Sequence, residues 1–301
     1  MAESMGAREL RRMAELYQPR AGDRAAATAE MWDRRAERWR QSRWTEDLQG
    51  GPAMHRVQAT ADYLRKQGLL GPDCDVIDIG CGPGRFAAEF ARTARSVTGV
   101  DISPRTVEYA RLFTRQAGRE NTRFFTGDFK VLDLAQAGLE EAFDLAFCSI
   151  TPAVQGEHGL EKLMRLSRRW CYMSMFVHGH NVLHQRMLQE VFPTYPRKIR
   201  DGRAFYAAFN LLFLQGYYPL TSYYRQPRNS RLPVTLDSAG LCLAQLLPPE
   251  ARTQEYLEAL YQWMEDHAEE DGAITEYSEF TYGSLLWDKT DRGLVRQLDG
   301  L

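Results

Sequence analysis

The sequence predicts an α/β fold: a doubly wound, mostly parallel seven-stranded sheet with helices on both faces. Three observations carry this. Short apolar runs alternate with segments of helical spacing between residues 75 and 177, the pattern of repeated βαβ units. Several runs end in glycine or an acid, as in "VIDIGCGPGRF" (76–86), "SVTGVD" (96–101) and "TRFFTGD" (122–128). The length of 301 residues, 44% of them apolar, suffices for one large domain or two modest ones.

The elements follow in order. Residues 8–17, 25–43 and 53–67 read as helices, the third ended near Gly68. A strand over 75–80 leads into a helix over 85–94. The strand over 96–101 leads into a helix over 104–118, with Pro104 at its first turn and Gly118 past its end. Strands follow over 122–128 and 143–150, with a helical stretch near 131–140 between them. A helix over 160–170 precedes a strand over 171–177. Beyond residue 180 the pattern loosens. Helices are expected over 182–192, 204–216, 234–247 and 250–270, and strands over 217–226 and 274–287.

This divides the chain into an N-terminal helical cap (1–50), a core (51–227), a helical insertion before the last strand (228–271), and that strand with the C-terminus (272–301). The insertion is expected to act as a lid. Residues 185–231 carry eight basic against two acidic residues, whereas 250–279 carry ten acids against one arginine. The two segments either share a charged cleft or form two separate solvated faces.

The bulk numbers exclude several classes. A net charge of −2 exerts no general pull on nucleic acid or an anionic membrane. No apolar run approaches the ~18 residues of a bilayer span, and the first twenty residues have no apolar signal core. Five cysteines without a C-x-x-C pair fit a reduced, cytoplasmic setting with no metal site of the usual spacing.

The turn Gly80-Cys81-Gly82-Pro83-Gly84 is the candidate site. As a dinucleotide fingerprint its third glycine comes one place early. Asp78 would also repel a pyrophosphate docked on the next helix. The turn therefore suits a ligand that lacks phosphates and carries positive charge, with Asp78 holding an ammonium directly or through water. S-adenosylmethionine (SAM) is such a ligand.

At these residues the chain resembles the class I, Rossmann-like SAM-dependent methyltransferases, over roughly 53–226 plus the last strand. The resemblance implies that Asp78, Gly80, Cys81, Gly82 and Gly84 form the first motif around the methionine moiety. It implies that Asp101 grips the ribose hydroxyls and that Ile102 packs on the adenine. Asp128, followed by Phe129, would accept a bond from the adenine amino group, and Ser149 would face the cofactor from the fourth strand. N-terminal helices would fold over the pocket, with Trp32, Arg35 and Trp39 on one helical face and Arg35 meeting the methionine carboxylate.

The acceptor is less legible. Base-amine methyltransferases of similar fold carry Asn/Asp-Pro-Pro-aromatic after the fourth strand, and this chain has Ser149-Ile150-Thr151-Pro152. A small soluble acceptor is expected, methylated by in-line displacement to leave S-adenosylhomocysteine (SAH), with no nucleic-acid or membrane partner. An RNA or protein methyltransferase, a transferase of SAM's aminocarboxypropyl arm, and a non-catalytic SAM-binding module stay open. In "FVHGHNVLH" (176–184), His178 is the candidate general base. His178, His180 and His184 alternatively form a metal site or an incidental polar loop. Aromatic residues over 205–218 and 223–224 either line an acceptor pocket or belong to the core. The oligomeric state is not written in the sequence.

Overall fold

Strand β1 (Asp75–Ile79) is an inner strand of the sheet, buried along almost its whole length. That is why it reads as a near-continuous apolar run rather than an alternating one. The computed structural model describes residues 5–19, 28–156, 158–195 and 202–292. β1 pairs in parallel with β2 (Ser96–Asp101) on one side and β4 (Phe143–Ser149) on the other. β3 (Thr122–Thr126) adds in parallel outside β2, and β5 (Ser167–Asn181) outside β4. With β6 (Leu220–Pro233) and β7 (Ala273–Asp288) the order becomes β3-β2-β1-β4-β5-β7-β6. The sheet is mostly parallel and includes antiparallel pairs.

Ten α-helices are described: α1 (Met5–Tyr17), α2 (Ala29–Leu48), α3 (Pro52–Lys66), α4 (Arg85–Phe90), α5 (Pro104–Gln116), α6 (Gly159–Leu166), α7 (Val182–Glu190), α8 (Arg203–Leu214), α9 (Leu236–Leu246) and α10 (Gln254–Asp266). Local signals set their starts. Ser103 caps α5 by accepting from Thr106 N–H, and Pro104 follows it. Thr28, Thr235 and Thr253 cap α2, α9 and α10 in the same way.

Some boundaries differ from the sequence reading. Residues 25–27 of the expected second helix lie outside the described residues, and the helix runs on to Leu48. The expected helix over 85–94 ends at Phe90, and residues 131–140 form turns. The expected helix over 160–170 stops at Leu166, where Ser167 takes an extended backbone and opens β5. β5 then continues through "VHGHN", so His178 and His180 lie within the strand and not in a loop after it. Residues 228–233 belong to β6 rather than to a helical segment.

The chain separates into two compact units. The first comprises residues up to Met175, Arg203–Ser222 and Gly283 onward. Its core packs α3, α4 and α5 side chains (Val57, Leu64, Phe90, Val107) against Val76, Val97 and Leu145 of the central strands. Phe147 and Tyr172 stack across β4 and β5 at 4.9 Å between ring centres. The second unit, Phe176–Gly202 with Tyr223–Tyr282, has its own core of Leu183, Met187, Leu243, Leu246, Leu260 and Met264. It is broader than the segment 228–271 because α7 packs with α9 in it. No helix among the described residues is long and apolar enough to cross a membrane.

Helix α2 is held to the first unit by aromatic and polar contacts together. Trp39 and Trp44 pack with Phe113 of α5 at 5.7 and 5.6 Å. The buried Asp47 accepts from Trp39 Nε1 at 2.6 Å and lies 3.0 Å from Arg85 Nε at the start of α4. Asp47→Ala strips both groups of their partner. It should lower stability by about 2–4 kcal/mol, measured by denaturant unfolding. A loss below about 0.5 kcal/mol, the usual range for surface changes, would show that water replaces the carboxylate.

Candidate cofactor-binding site

The chain steps outward from β1 to β3 and then returns to β4 on the other side of β1. In such sheets the reversal leaves a crevice at the carboxyl ends of the two central strands. A cavity of about 640 Å³ lies there, lined by the segments that follow β1, β2, β3 and β4 and by α2 and α3. All of its lining residues belong to the first unit.

The turn after β1 forms the floor. Gly80 N–H and Cys81 N–H both donate to the Val100 carbonyl of β2, at 2.8 and 3.1 Å. Gly82 N–H donates to Asp101 Oδ2 at 3.0 Å. Gly80 has φ +68°, and a Cβ there would meet Thr151 Oγ1 at 2.2 Å. Gly84 has φ +82°, and a Cβ there would press on Ala110 of α5 at 3.1 Å. Larger residues would distort the turn or push it off its neighbours.

Asp101 ends β2 and lines the cavity. Ser103 N–H occupies its Oδ1 at 3.0 Å as Gly82 N–H occupies Oδ2. Each carboxylate oxygen keeps a further lone pair for a ligand hydroxyl. Burial raises the Asp101 pKa, and the two backbone donors oppose that rise. Asp78 is only 1% exposed, is absent from the cavity lining, and its Oδ2 has no partner among the described residues. Burial, assisted by Asp101, pushes its pKa to about 8. An unpartnered buried oxygen needs an outside donor or a proton.

The other expected residues fall as follows. Cys81, Gly82, Ile102, Asp128, Phe129, Ser149 and Arg35 line the cavity, while Gly84 stands behind it at the start of α4. Asp128 Oδ1 accepts from Lys130 N–H at 3.0 Å. Arg35 lies 4.7 Å from the Trp32 ring centre. Trp39 lines the cavity but is chiefly a packing residue, 8% exposed. His178 is exposed on β5 in the second unit and lines nothing here. His184 sits 3.9 Å from Glu276 within that unit. No group of three metal-ligating side chains occurs among the described residues. Phe205, Ala207 and Leu211 of α8 are buried, whereas Tyr206, Tyr218 and Tyr223 are exposed.

Three features escape the sequence reading. Arg56 of α3 lines the cavity and donates to Ser149 Oγ at 2.9 Å. Arg85 lines it too, its side chain 25% exposed and its guanidinium over Trp39. Ile150, also in the lining, has φ +54°, a backbone region that branched side chains avoid. Only Arg85 had a sequence signal, its place directly after the last glycine.

Residues 70–193 match a family model described as a methyltransferase domain. The chain is 27% identical over 157 residues to the O-antigen chain terminator bifunctional methyltransferase/kinase of Escherichia coli, which is 49% of this chain and 21% of that protein. It is 35% identical over 106 residues to the 23S rRNA (uracil(1939)-C(5))-methyltransferase of Aeromonas hydrophila, covering 35% and 24% of the two chains. It is 37% identical over 81 residues to the ubiquinone biosynthesis O-methyltransferase of Proteus mirabilis, covering 26% and 32%. The chain thus spans at most about a third of these relatives. Residues 70–193 are thus similar to methyltransferase domains.

Asp78 generates a pH prediction. Folded and ligand-free, it holds its proton to about pH 8, but unfolded it ionises at the ordinary value of 3.8. Between those values the native state binds the extra proton, so stability is full below the window and falls as pH rises through it. Each pH unit removes up to about 1.4 kcal/mol. Thermal melts between about pH 5 and 8 should show that decline, and Asp78→Asn should flatten it. An equal slope in the variant would remove Asp78 as its source.

Proposed function

We propose that the protein is a SAM-dependent methyltransferase acting on a small molecule. The observation that carries this is Asp101, fixed by two backbone N–H groups at the mouth of the cavity with lone pairs to spare. In this reading Asp101 holds the ribose hydroxyls, Ile102 and Phe129 flank the adenine, and Asp128 accepts from its amino group. Asp78 answers the ammonium through water, and Arg35 meets the carboxylate. The bound cofactor supplies a methyl group already activated by the sulfonium. The chain's own task is to align an acceptor with it, which can be worth several kcal/mol of barrier.

The cavity of about 640 Å³ falls inside the ~300–1,000 Å³ of small-molecule sites, and the cofactor takes its share of that volume. One relative is named for an RNA substrate and another for ubiquinone biosynthesis, so both classes belong in the test. Asp101→Ala should weaken SAM at least about tenfold by titration calorimetry, as expected for losing charged hydrogen bonds. Unchanged affinity would remove the assignment. With tritiated SAM and fractionated cell extract, label should enter low-mass material. Label confined to RNA or protein would replace the small-molecule reading.

A further inference from the structure

The aromatic residues of α8 and the turn after it lie outside the cavity lining, and we infer that a second copy of this chain docks on their exposed face to make a two-fold dimer. From residue 204 to residue 224 the chain carries no acidic or basic side chain, although such residues make up 26% of the whole. Helix α8 falls almost entirely in this run. Apart from Arg203 and Asn210, every one of its residues is aliphatic or aromatic. One side of the helix is covered: Ala208, Leu211 and Leu212 are buried, and α8 packs on α1. The other side is open to solvent. A helix that is apolar all round is ordinarily buried all round.

The open side is a continuous surface. Tyr206, Phe209 and Phe213 recur at spacings of three and four and so share a helix face. The Phe209 and Phe213 rings lie nearly parallel with centres 6.0 Å apart, and Tyr218 meets Phe213 edge-on at 5.5 Å. Asn210, on the same face, spends a donor on the helix itself, giving it to the Tyr206 carbonyl at 2.7 Å. Tyr206, Phe213, Leu214, Tyr218 and Leu220 are each between 39% and 56% exposed. With ~150–250 Å² for a whole aromatic side chain, the patch comes to about 500 Å² on one copy. A pair would bury about 1,000 Å², where specific interfaces begin.

Charge decides the occupant. A contact about a two-fold axis sets a surface against its own equivalent, so any charge on it meets a like charge. An uncharged run avoids that. Dimer contacts are also the more apolar class of interface and rich in aromatic rings, which pair favourably edge to face. A helix that lies on a bilayer carries Lys or Arg beside its apolar face, and residues 204–224 supply none. Leu220 opens β6, the outermost strand of the sheet. An outermost strand offers a row of backbone groups to another chain, so the patch runs in sequence into a second feature that a partner copy would cover.

The full chain is followed by sedimentation equilibrium over about 0.1–100 µM, a range suited to an interface of this modest size. Its mass should rise from 34.6 kDa toward twice that value. Phe213→Asp puts an unpaired charge into the contact and should weaken dimerisation at least about tenfold. Leu236→Asp, at a comparably exposed leucine of α9, should leave it unchanged. Circular dichroism checks folding, and Tyr206→Asp takes the place of Phe213→Asp if that variant does not fold. A chain monomeric throughout, a dimer that the α8 substitution leaves as tight, or equal weakening by Leu236→Asp overturns the inference. So does a monomer that binds phosphatidylcholine–phosphatidylserine vesicles and loses them on Phe213→Asp, which would assign the face to a lipid surface.

Discussion

Three hydrogen bonds between the turn after β1 and the end of β2 determine the rest of this site. Two go from Gly80 and Cys81 to one carbonyl, and the third from Gly82 to Asp101. Two neighbouring strand ends are thereby locked at one spacing, and α4 is launched from a fixed point. Had the turn been free, Asp101 would face water with a mobile carboxylate, and Arg85 would have no defined place over Trp39. Because Asp101 spends one bond per oxygen on backbone, its orientation is settled before any ligand arrives. That is preorganisation in its simplest form.

Helix α2 closes the cavity by a second, independent device. Asp33 Oδ1 accepts from Ser103 Oγ and from Arg105 N–H at the start of α5. A carboxylate at a helix N-terminus answers the unpaired N–H groups and the positive end of the dipole. Farther along, Trp44 Nε1 donates to Gln116 Oε1 near the end of α5, at 2.9 Å. The same helix is therefore gripped at both ends by its neighbour, with aromatic packing between. Its basic residues at 35, 38 and 43 are carried into the cavity wall by that alignment.

Much of the frame was readable because buried parallel strands leave continuous apolar runs and because glycines and acids mark their ends. Asp101, Asp128 and the glycine turn follow directly from this. Arg43 and Arg56 were not readable, since an arginine on a helix has the same local pattern whether it faces solvent or a cavity. The strand continuing through His178 was missed for a related reason: "VHGHN" has low apolar content, and pairing in the sheet, rather than propensity, holds it extended. Helix α6 was overextended because "SRRW" is compatible with helix locally, and tertiary pairing of Ser167 with Phe143 decides otherwise. Ile150 shows the limit most plainly, since nothing in a sequence marks a branched residue forced to positive φ.

The order of strands in the sheet has a consequence for how the protein is made. β5 lies between β4 and β7. Its inner edge finds β4 as soon as it leaves the ribosome, but its outer partner begins only at Ala273. At about 5–20 residues per second, synthesis of the intervening stretch takes on the order of 5–20 s. During that interval a long strand containing Cys171, Tyr172, Met173 and Met175 presents an unpaired edge, the feature most prone to join another chain. That edge stays open to mispairing until the last strand arrives.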